Sequence, residues 1–207
     1  MSRFTPRFGA RDVELLKRDA AFSGFFRLDR LTLRHRLFNG GWSSNITREL
    51  FERGDAVAVL PYDPVNDQLI LIEQFRPGAV RGDDSPWMLE VVAGIVEDGE
   101  SDEQVVRREA QEEAGCTLSE LREIATFYPS AGACSEQIRL YVGHVVSADI
   151  GAVCGVGSEH EDIRVHAISR EQALAWLDNN GINNGHTLIA LQWLARHGEA
   201  LRQQWLS

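Results

Sequence analysis

The stretch from Gly94 to Cys116 limits the possible folds of this chain more than any other part of its sequence. Its first residues, up to Glu100, are mostly glycine, acidic or small, and this composition predicts a tight, exposed loop. A helix is predicted to follow, because Ser101 and Gln104 have the spacing of a capping box. Gly115 is placed to end that helix, so a loop followed by a single helix is expected.

Three glutamates are gathered on one face of the predicted helix. Glu112 and Glu113 follow Glu109 by three and four residues, which places the three side chains next to one another. Like charges at this spacing cost an isolated helix about 0.2–0.5 kcal/mol per pair, so folding alone does not favour them. A hard divalent cation such as Mg²⁺ would favour them, since it binds carboxylate oxygens. A solvated acidic surface is the alternative interpretation.

Other residues of the helix are suited to supporting such a cation site. Arg108 lies one turn before Glu112 and can hold that carboxylate in place. The helix is also expected to pack on a sheet through one apolar side. That side consists of Val106, Ala110 and Ala114.

The polar and glycine positions of this stretch match the Nudix box, so the chain resembles the Nudix family. The matching residues are Gly94, Glu100, Arg108, Glu109, Glu112, Glu113 and Gly115. Ala110 and Cys116 stand where the family usually has larger aliphatic residues, which should affect packing more than chemistry. The resemblance implies hydrolysis of a nucleoside diphosphate linked to another moiety, with metal ions assisting the attack of water on phosphorus. Mg²⁺ is the implied cofactor, with Mn²⁺ as a substitute.

Composition narrows the class of protein further. The net charge of −10 argues against broad nucleic-acid binding, which depends on Lys and Arg releasing counterions. The three cysteines show no CxxC spacing, so neither a disulfide framework nor a zinc site is predicted. No apolar run approaches the roughly 18 residues of a membrane span, and the N-terminus lacks the apolar core of a signal peptide. The protein is therefore expected to be cytoplasmic, with no membrane partner.

Residues 1–53 are predicted to form a small antiparallel extension. Residues up to about 24 are weakly patterned, whereas 29–37 alternate as a strand with one wet face, which includes Arg30, Arg34 and Arg36. Asn39-Gly40-Gly41 predicts a hairpin turn before a returning strand over 42–51. Two strands alone are marginally stable, so the extension should lean on the main domain or on a second subunit.

Residues 54–207 are predicted to form the main domain. Strands and helices interleave, which is typical of an α/β protein with a mixed sheet between helical layers and resembles the Nudix α/β/α sandwich. Strands are predicted at 56–60, 69–72, 87–93, 124–128, 138–146 and 163–168. Further helices are predicted after a capping box at Ser169 and Gln172 and over about 187–196. Trp176 and Trp193 on them are interpreted as core or dimer contacts.

A glycine-rich loop leads to two further candidate acids. Residues 151–157 include three glycines with little to fix them in place, so this loop is a candidate for closure over a substrate, and an ordinary surface loop is the alternative. A general base must come from outside the box, because carboxylates saturated by metal are poor proton acceptors. By resemblance to bacterial ADP-ribose pyrophosphatases, Glu161 binds metal and Glu159 is the base. Either acid could instead be a solvated loop residue.

The same resemblance implies the remaining site residues. Metal ligands are the carbonyl of Ala93 with Glu109, Glu113 and Glu161, while Glu112 acts one shell out. Substrate-binding residues are Phe25, Phe26, Arg48, Glu49, Arg53, Arg76, Ile95 and Glu136. Phe25 suits stacking with adenine, and the arginines suit phosphate or ribose oxygens.

The resemblance to the ADP-ribose branch extends over most of the chain. It is carried by Gly24–Asp29, Arg34–Gly40, Arg48–Gly54, Glu73–Arg76 and Ser135-Glu136, whereas Ala131 replaces a proline common in that branch. It implies hydrolysis of ADP-ribose to AMP and ribose 5-phosphate. Other nucleotide sugars, such as GDP-mannose or ADP-glucose, are alternatives, as is a non-catalytic nucleotide-sugar sensor. It also implies a homodimer with swapped N-terminal sheets, in which Phe25 and Arg48 serve the partner's site.

Overall fold

The computed structural model describes residues 4–81, 85–148, 151–157 and 160–207. These residues form two compact units. The first comprises the chain up to Gly54 together with Tyr128–Glu136, and the second comprises Asp55–Phe127 and Gln137–Ser207. The later segment joins the first unit through main-chain hydrogen bonds, since Phe51 N–H donates to the carbonyl of Ala133 over 2.8 Å.

The first unit contains an antiparallel sheet of three strands. In sheet order these are β1 (Val13–Ser23), β2 (Arg27–His35) and β3 (Ile46–Glu52). The prediction of two strands was wrong, because β1 lies in the segment interpreted as weakly patterned. Its side chains are nearly all exposed and its pairing with β2 has two register irregularities, so no strict alternation marks it in the sequence.

Of the arginines predicted to form a wet face, Arg30 and Arg36 are exposed, whereas Arg34 is partly buried. Arg34 forms an ion pair with Glu14 at 2.7 Å, and its guanidinium lies 4.9 Å from the ring centroid of Trp42. Arg36 lies over the same ring at 4.4 Å. Contacts between a guanidinium and an indole are favourable, so Trp42 stabilises both Arg34 near the end of β2 and Arg36 just after it.

The second unit is built on a mixed sheet. Its strands are β4 (Ala56–Asp63), β5 (Gln68–Phe75), β6 (Trp87–Glu90), β7 (Val92–Ile95), β8 (Thr117–Phe127), β9 (Ile138–Ser147), β10 (Val153–Cys154) and β11 (Ile163–Ser169). The order is β10-β11-β5-β4-β9-β8, with β6 beside β5 and β7 beside β4. Strands β4 and β9 run parallel and the other pairs are antiparallel, which confirms the predicted mixed sheet.

Helices cover both faces of this sheet. Helix α1 (Asp102–Ala114) packs on one face, and α2 (Arg170–Asp178) and α3 (Gly185–Leu206) pack on the other. The alternation of β4 explains the two layers, because Val57 and Val59 face α1 whereas Ala58 and Leu60 face the other helices. The predicted α/β/α sandwich is therefore confirmed.

Five element predictions need correction. Two of them are that Gly94 and Ile95 belong to β7 rather than to a loop, and that β8 begins at Thr117 rather than at residue 124. The predicted strand over 87–93 is two strands, β6 and β7, separated at Val91 and paired with different neighbours. Helix α3 continues to Leu206, well past residue 196. At the start of α2, Ser169 accepts a hydrogen bond from Gln172 N–H, but the reciprocal half of the predicted capping box is not formed.

The tryptophans of these helices pack against the core, as predicted. Trp176 and Trp193 are partly buried against the cluster of apolar residues beneath α2 and α3. Among the described residues, no helix is long and apolar enough to cross a membrane.

Candidate active site

The helix-capping signals predicted from the sequence determine where α1 begins and ends, and so where its glutamates lie. The Ser101 hydroxyl accepts a hydrogen bond from Gln104 N–H, and Gln104 Oε1 accepts one from Ser101 N–H. The predicted capping box is therefore confirmed. The helix ends at Gly115, also as predicted. Its predicted apolar side is buried against the sheet, with Val105 added to it. Because both the ends and the packed side are fixed, the direction of the acidic residues is fixed as well.

Glu113 is the most deeply held of these acids. The residue is only 3% exposed, and its Oε2 accepts a hydrogen bond of 3.2 Å from Ala93 N–H in β7. A buried carboxylate is costly unless its charge is compensated, and one main-chain donor compensates it only in part. The position therefore suits a group that binds a cation.

Glu109 lies directly against the backbone of β7. A Cβ placed on Gly94 would overlap Oε1, Cδ and Cγ of Glu109, at separations that real Cβ atoms essentially never show. Glycine at this position thus leaves the space that the carboxylate occupies. Glu109 and Glu113 therefore both lie against β7, Glu109 at Gly94 and Glu113 at the N–H of Ala93, while the carbonyl of Ala93 as a metal ligand stays a prediction.

The electrostatics of the two glutamates favour an added positive charge. Burial raises the pKa of Glu109 to about 7; Arg108 opposes the rise and Glu112 adds to it. Burial raises the pKa of Glu113 to about 8, opposed by the hydrogen bond from Ala93 and reinforced by the charge of Glu109. The charge of Glu161 also raises the pKa of both groups, so Glu161 repels Glu109 and Glu113.

Arg108 holds the outer part of the acidic face. Its guanidinium contacts Glu112 at 3.3 Å, which confirms the predicted pairing, and also contacts Glu109 at 2.8 Å and Glu100 at 3.4 Å. Glu112 is more exposed than the other two acids of the face. This arrangement agrees with a supporting rather than a ligating position for Glu112.

The glycine-rich loop is fixed, which corrects the expectation that little holds it. Gly155 N–H donates to the carbonyl of Glu112 at the end of α1 over 3.1 Å, and Val156 N–H donates to Glu161 Oε2 over 3.1 Å. Gly155 has φ of +105°, and a Cβ there would lie 2.7 Å from Cβ of Glu161. The described residues 151–157 therefore hold Glu161 beside α1. The predicted base, Glu159, lies outside the described residues.

The donor set fits a hard divalent cation. Glu109, Glu113 and Glu161 offer carboxylate oxygens, and cations such as Mg²⁺ complete their coordination with carbonyl oxygens and water. Among the described residues, no three His, Cys, Asp or Glu side chains are already arranged as a ligand cluster. The fit rests on the partly compensated burial of Glu113 and on the mutual repulsion of the acids, which a cation would relieve.

A pH-dependent loss of stability is expected for the metal-free protein. The raised pKa values of Glu109 and Glu113 mean that the folded state binds protons more tightly than the unfolded state, so stability falls as pH rises through about 7 to 8. Between about pH 6 and pH 9 the melting temperature in EDTA should fall by roughly 5 °C, and Mg²⁺ should restore most of it at high pH. Thermal denaturation across this range measures the effect. A melting temperature in EDTA that is flat or rises would contradict it.

Strand β7 carries the second group of predicted residues. Ala93 pairs with Ala58 and Ile95 pairs with Ala56 in the sheet. The break before β7 is stabilised from α3, because Val91 N–H donates to Thr187 Oγ1 over 3.0 Å. Before the break β6 pairs with β5, and after it β7 pairs with β4. The change of partner places Ala93 and Gly94 beneath α1.

Arg76 follows β5 and is held by a residue that the sequence did not reveal. Its Nε and Nη2 contact Glu90 Oε2 at 2.9 and 2.7 Å. Arg76 also lowers the pKa of Glu113, which places its charge within electrostatic reach of the candidate metal ligands. Glu90 received no role because a single acid within an otherwise apolar strand gives no motif.

Four of the predicted substrate-binding residues are together in the first unit. Arg53 forms an ion pair of 3.3 Å with Glu136, and its guanidinium lies 5.4 Å from the ring centroid of Phe26. Phe25 packs edge-on against Phe26 with ring centroids 4.7 Å apart and is itself 90% exposed. An exposed aromatic ring with a charged pair nearby is suited to a flat base and its polar edge.

Arg48 and Glu49 are not part of this group. Glu49 lies 3.8 Å from Arg30 in an exposed ion pair, and Arg48 donates to the neighbouring carbonyl of Thr47. Both side chains are exposed on β3. Their predicted contacts with substrate stay predictions.

The fold is an α/β/α domain, and these acids make a candidate carboxylate site for a divalent cation. The family model described as NUDIX domain matches residues 52–188. This chain belongs to the Nudix family.

Comparison with known proteins gives both near and more distant relatives. The ADP-ribose pyrophosphatase of Escherichia coli (strain K12) is 47% identical over 198 residues, which are 96% of this chain and 95% of the relative. The GDP-mannose pyrophosphatase of Yersinia enterocolitica (serotype O:8 / biotype 1B) is 30% identical over 187 residues, 90% of this chain and 96% of the relative. A crystal structure described as an ADP compounds hydrolase shares the fold, with a TM-score of 0.68 at 20% identity, covering 90% of this chain and 96% of the other.

Proposed function

We propose that this protein is a pyrophosphohydrolase that cleaves ADP-ribose to AMP and ribose 5-phosphate with Mg²⁺, for which Mn²⁺ can substitute. The observation that carries the proposal is the pair Glu109 and Glu113, held against Gly94 and Ala93 in a chain that is 47% identical to an ADP-ribose pyrophosphatase. When bound, the metal would lower the pKa of water and stabilise charge on the diphosphate.

Residues of the chain orient the metal ligands and bind the substrate. Ala93 N–H keeps Glu113 oriented, and the loop at Val156 keeps Glu161 oriented. Arg76 pairs with an anionic oxygen of the substrate, since a half-exposed guanidinium retains donors for a second partner. Phe25 supplies the surface on which adenine stacks.

Assays of several nucleotide sugars test the substrate. ADP-ribose, GDP-mannose and ADP-glucose are compared by kcat/KM with Mg²⁺, because a GDP-mannose pyrophosphatase is also related to this chain over most of its length. ADP-ribose is expected to be preferred. A higher kcat/KM for GDP-mannose would replace the proposed substrate, and the absence of Mg²⁺-dependent cleavage of all three would favour a sensor.

Glu159 is proposed as the general base, by resemblance to bacterial ADP-ribose pyrophosphatases. Glu159→Gln should lower kcat by about 100-fold or more with little change in KM, because proton removal from water is lost while substrate contacts remain. The pH–rate profile should lose its acidic limb at the same time. Asp162→Asn is the matched control, since it alters an exposed acid close by in the chain that has no assigned role. A Glu159→Gln enzyme with near-normal turnover would remove Glu159 from the role.

A homodimer with swapped N-terminal sheets is proposed as the assembly. Strand β1 supports it, because an edge strand exposing about half or more of each of Val13, Leu15, Leu16 and Phe22 is unusual in a monomer. In such a dimer Phe25 and Arg48 would serve the partner's site. Light scattering should give a mass of about twice 23.2 kDa at working concentrations. A fully active monomer would contradict both the swap and this assignment.

The cytoplasm is proposed as the working compartment. No disulfide joins Cys116, Cys134 and Cys154, all of which the structure describes, and this is consistent with a reducing compartment. Nucleic acid is not proposed as a partner, because the net charge is −10.

A further inference from the structure

Glu90 is a buried carboxylate that has no role in the proposed reaction. It is 3% exposed and is the last residue of β6, immediately before the break at Val91. Both of its oxygens are bonded: Oε1 accepts from Asn184 Nδ2 at 2.8 Å, and Oε2 accepts from Arg76 and, at 3.3 Å, from Gln74 Nε2. A buried charge with this many partners fixes the orientation of the groups that pair with it.

The carboxylate is anchored by the start of α3. Asn184 is the N-cap of that helix, with its Oδ1 accepting from Thr187 N–H, and the same side chain donates to Glu90 through Nδ2. The positive end of the helix dipole also favours an anion at this place. Glu90 is therefore held rigidly from one side by the helix and offers its second oxygen to Arg76.

Glu90 holds Arg76 through part of its guanidinium and leaves other donors available. Glu90 contacts Nε and Nη2, and the side chain of Arg76 remains 42% exposed. These contacts leave the donors of Nη1 outside the pair. A guanidinium free to rotate would lose entropy on binding an anion, whereas one fixed beforehand loses less.

We propose that Glu90 is a positioning residue, which fixes the guanidinium of Arg76 for contact with the anionic diphosphate of the substrate. The proposal rests on the proposed function, because it takes that diphosphate as the ligand of Arg76. Neither Glu90 nor Asn184 touches substrate in this scheme; both act through Arg76.

A double-mutant cycle with Arg76 tests the proposal. Glu90→Gln keeps the shape of the side chain and removes its charge, and it should raise KM for ADP-ribose by about 10-fold with kcat changed by less than about 2-fold. In an Arg76→Ala background, the same substitution should have almost no further effect on KM. Equal effects in both backgrounds would show a general structural role and overturn the proposal.

A second variant covers the case in which Glu90→Gln does not fold. Asn184→Ser retains an N-cap residue for α3 but removes the donor to Glu90, so a rise in KM of about 3-fold is expected, again only when Arg76 is present. A KM that is unchanged by Asn184→Ser, or raised equally without Arg76, would count against the proposal.

Nuclear magnetic resonance separates this proposal from the proposed function. The Nε–H of Arg76 should exchange slowly with water in the wild-type protein and markedly faster in Glu90→Gln, whatever the substrate is. Equal exchange in the two proteins would overturn the positioning role. A wild-type protein that leaves ADP-ribose intact would instead overturn the proposed function, and the exchange measurement would still decide the role of Glu90.

Discussion

Replacing Glu113 by Gln is expected to lower kcat for ADP-ribose by about 1000-fold, because a carboxylate that holds the catalytic cation becomes a neutral amide. Charge stabilisation by a bound metal is worth several kcal/mol at the transition state, and a loss of about 4 kcal/mol corresponds to this factor. The fold should survive, since Gln can still accept the hydrogen bond that Ala93 N–H gives to Glu113.

The stability of the same variant should change in the opposite direction from its activity. Glu113 is buried with a pKa raised to about 8, so its ionisation destabilises the metal-free protein at high pH. Glu113→Gln should therefore be more stable than the wild type in EDTA at about pH 9, while gaining less from added Mg²⁺. Lower activity with lower stability would point to damaged folding rather than to a lost metal ligand.

Glu103→Gln is the matched control for this prediction. Glu103 lies in the first turn of the same helix, and its side chain is exposed. The substitution makes the same chemical change on the same helix without altering the candidate ligands. Near-normal kcat and an unchanged response to Mg²⁺ are expected. A wild-type level of activity in Glu113→Gln would exclude Glu113 as a ligand.

The parts of the site that the sequence predicted are those specified by local spacing. The capping box of Ser101 and Gln104, the end at Gly115 and the three- and four-residue spacing of the glutamates determine the helix and its acidic face within one segment. The ion-pair partner of Glu112 is also close in sequence, since Arg108 lies one helical turn before it. Such interactions need no knowledge of the tertiary fold.

The parts that the sequence did not predict depend on contacts between distant segments. Glu90 bonds to Asn184, which is 94 residues away, and to Arg76, which is 14 residues away. The loop at Gly155 is fixed by a carbonyl of α1 and by Glu161, neither of which its composition indicates. A glycine-rich sequence shows only what backbone conformations are allowed, and the contacts then decide which one is adopted.

Strand β1 shows a different limit of sequence reasoning. Its residues lack alternation because neither face is buried among the described residues of the chain, so the usual signal of a half-buried strand does not arise. The pairing with β2 depends on main-chain hydrogen bonds and on ion pairs such as Arg18 with Asp29. A strand of this kind is recognisable only once its neighbour is known.

Gly94→Ala is expected to disable the site without changing any chemical group in it. The added Cβ would overlap the carboxylate of Glu109, and the backbone of Gly94 is itself held in β7, which is paired with β4. Glu109 must therefore move. A displacement of about 1 Å at a catalytic group costs on the order of 100-fold in rate, and a distorted ligand adds a loss of about 10-fold in metal affinity.

Gly143→Ala separates this effect from the general cost of altering a strand glycine. Gly143 lies in β9 of the same sheet, and a Cβ there would come within 2.8 Å of Leu118 Cδ1 and 3.2 Å of Leu121 Cδ2. Those atoms are ends of flexible side chains, so this variant should lose stability while keeping its affinity for Mg²⁺. Titration with Mn²⁺, followed by its paramagnetic signal, measures the affinity of both variants. Because Gly94 is crowded by the carboxylate of a candidate metal ligand and Gly143 by apolar side chains, equal metal affinity in the two variants would mean that Glu109 does not need the space beside Gly94.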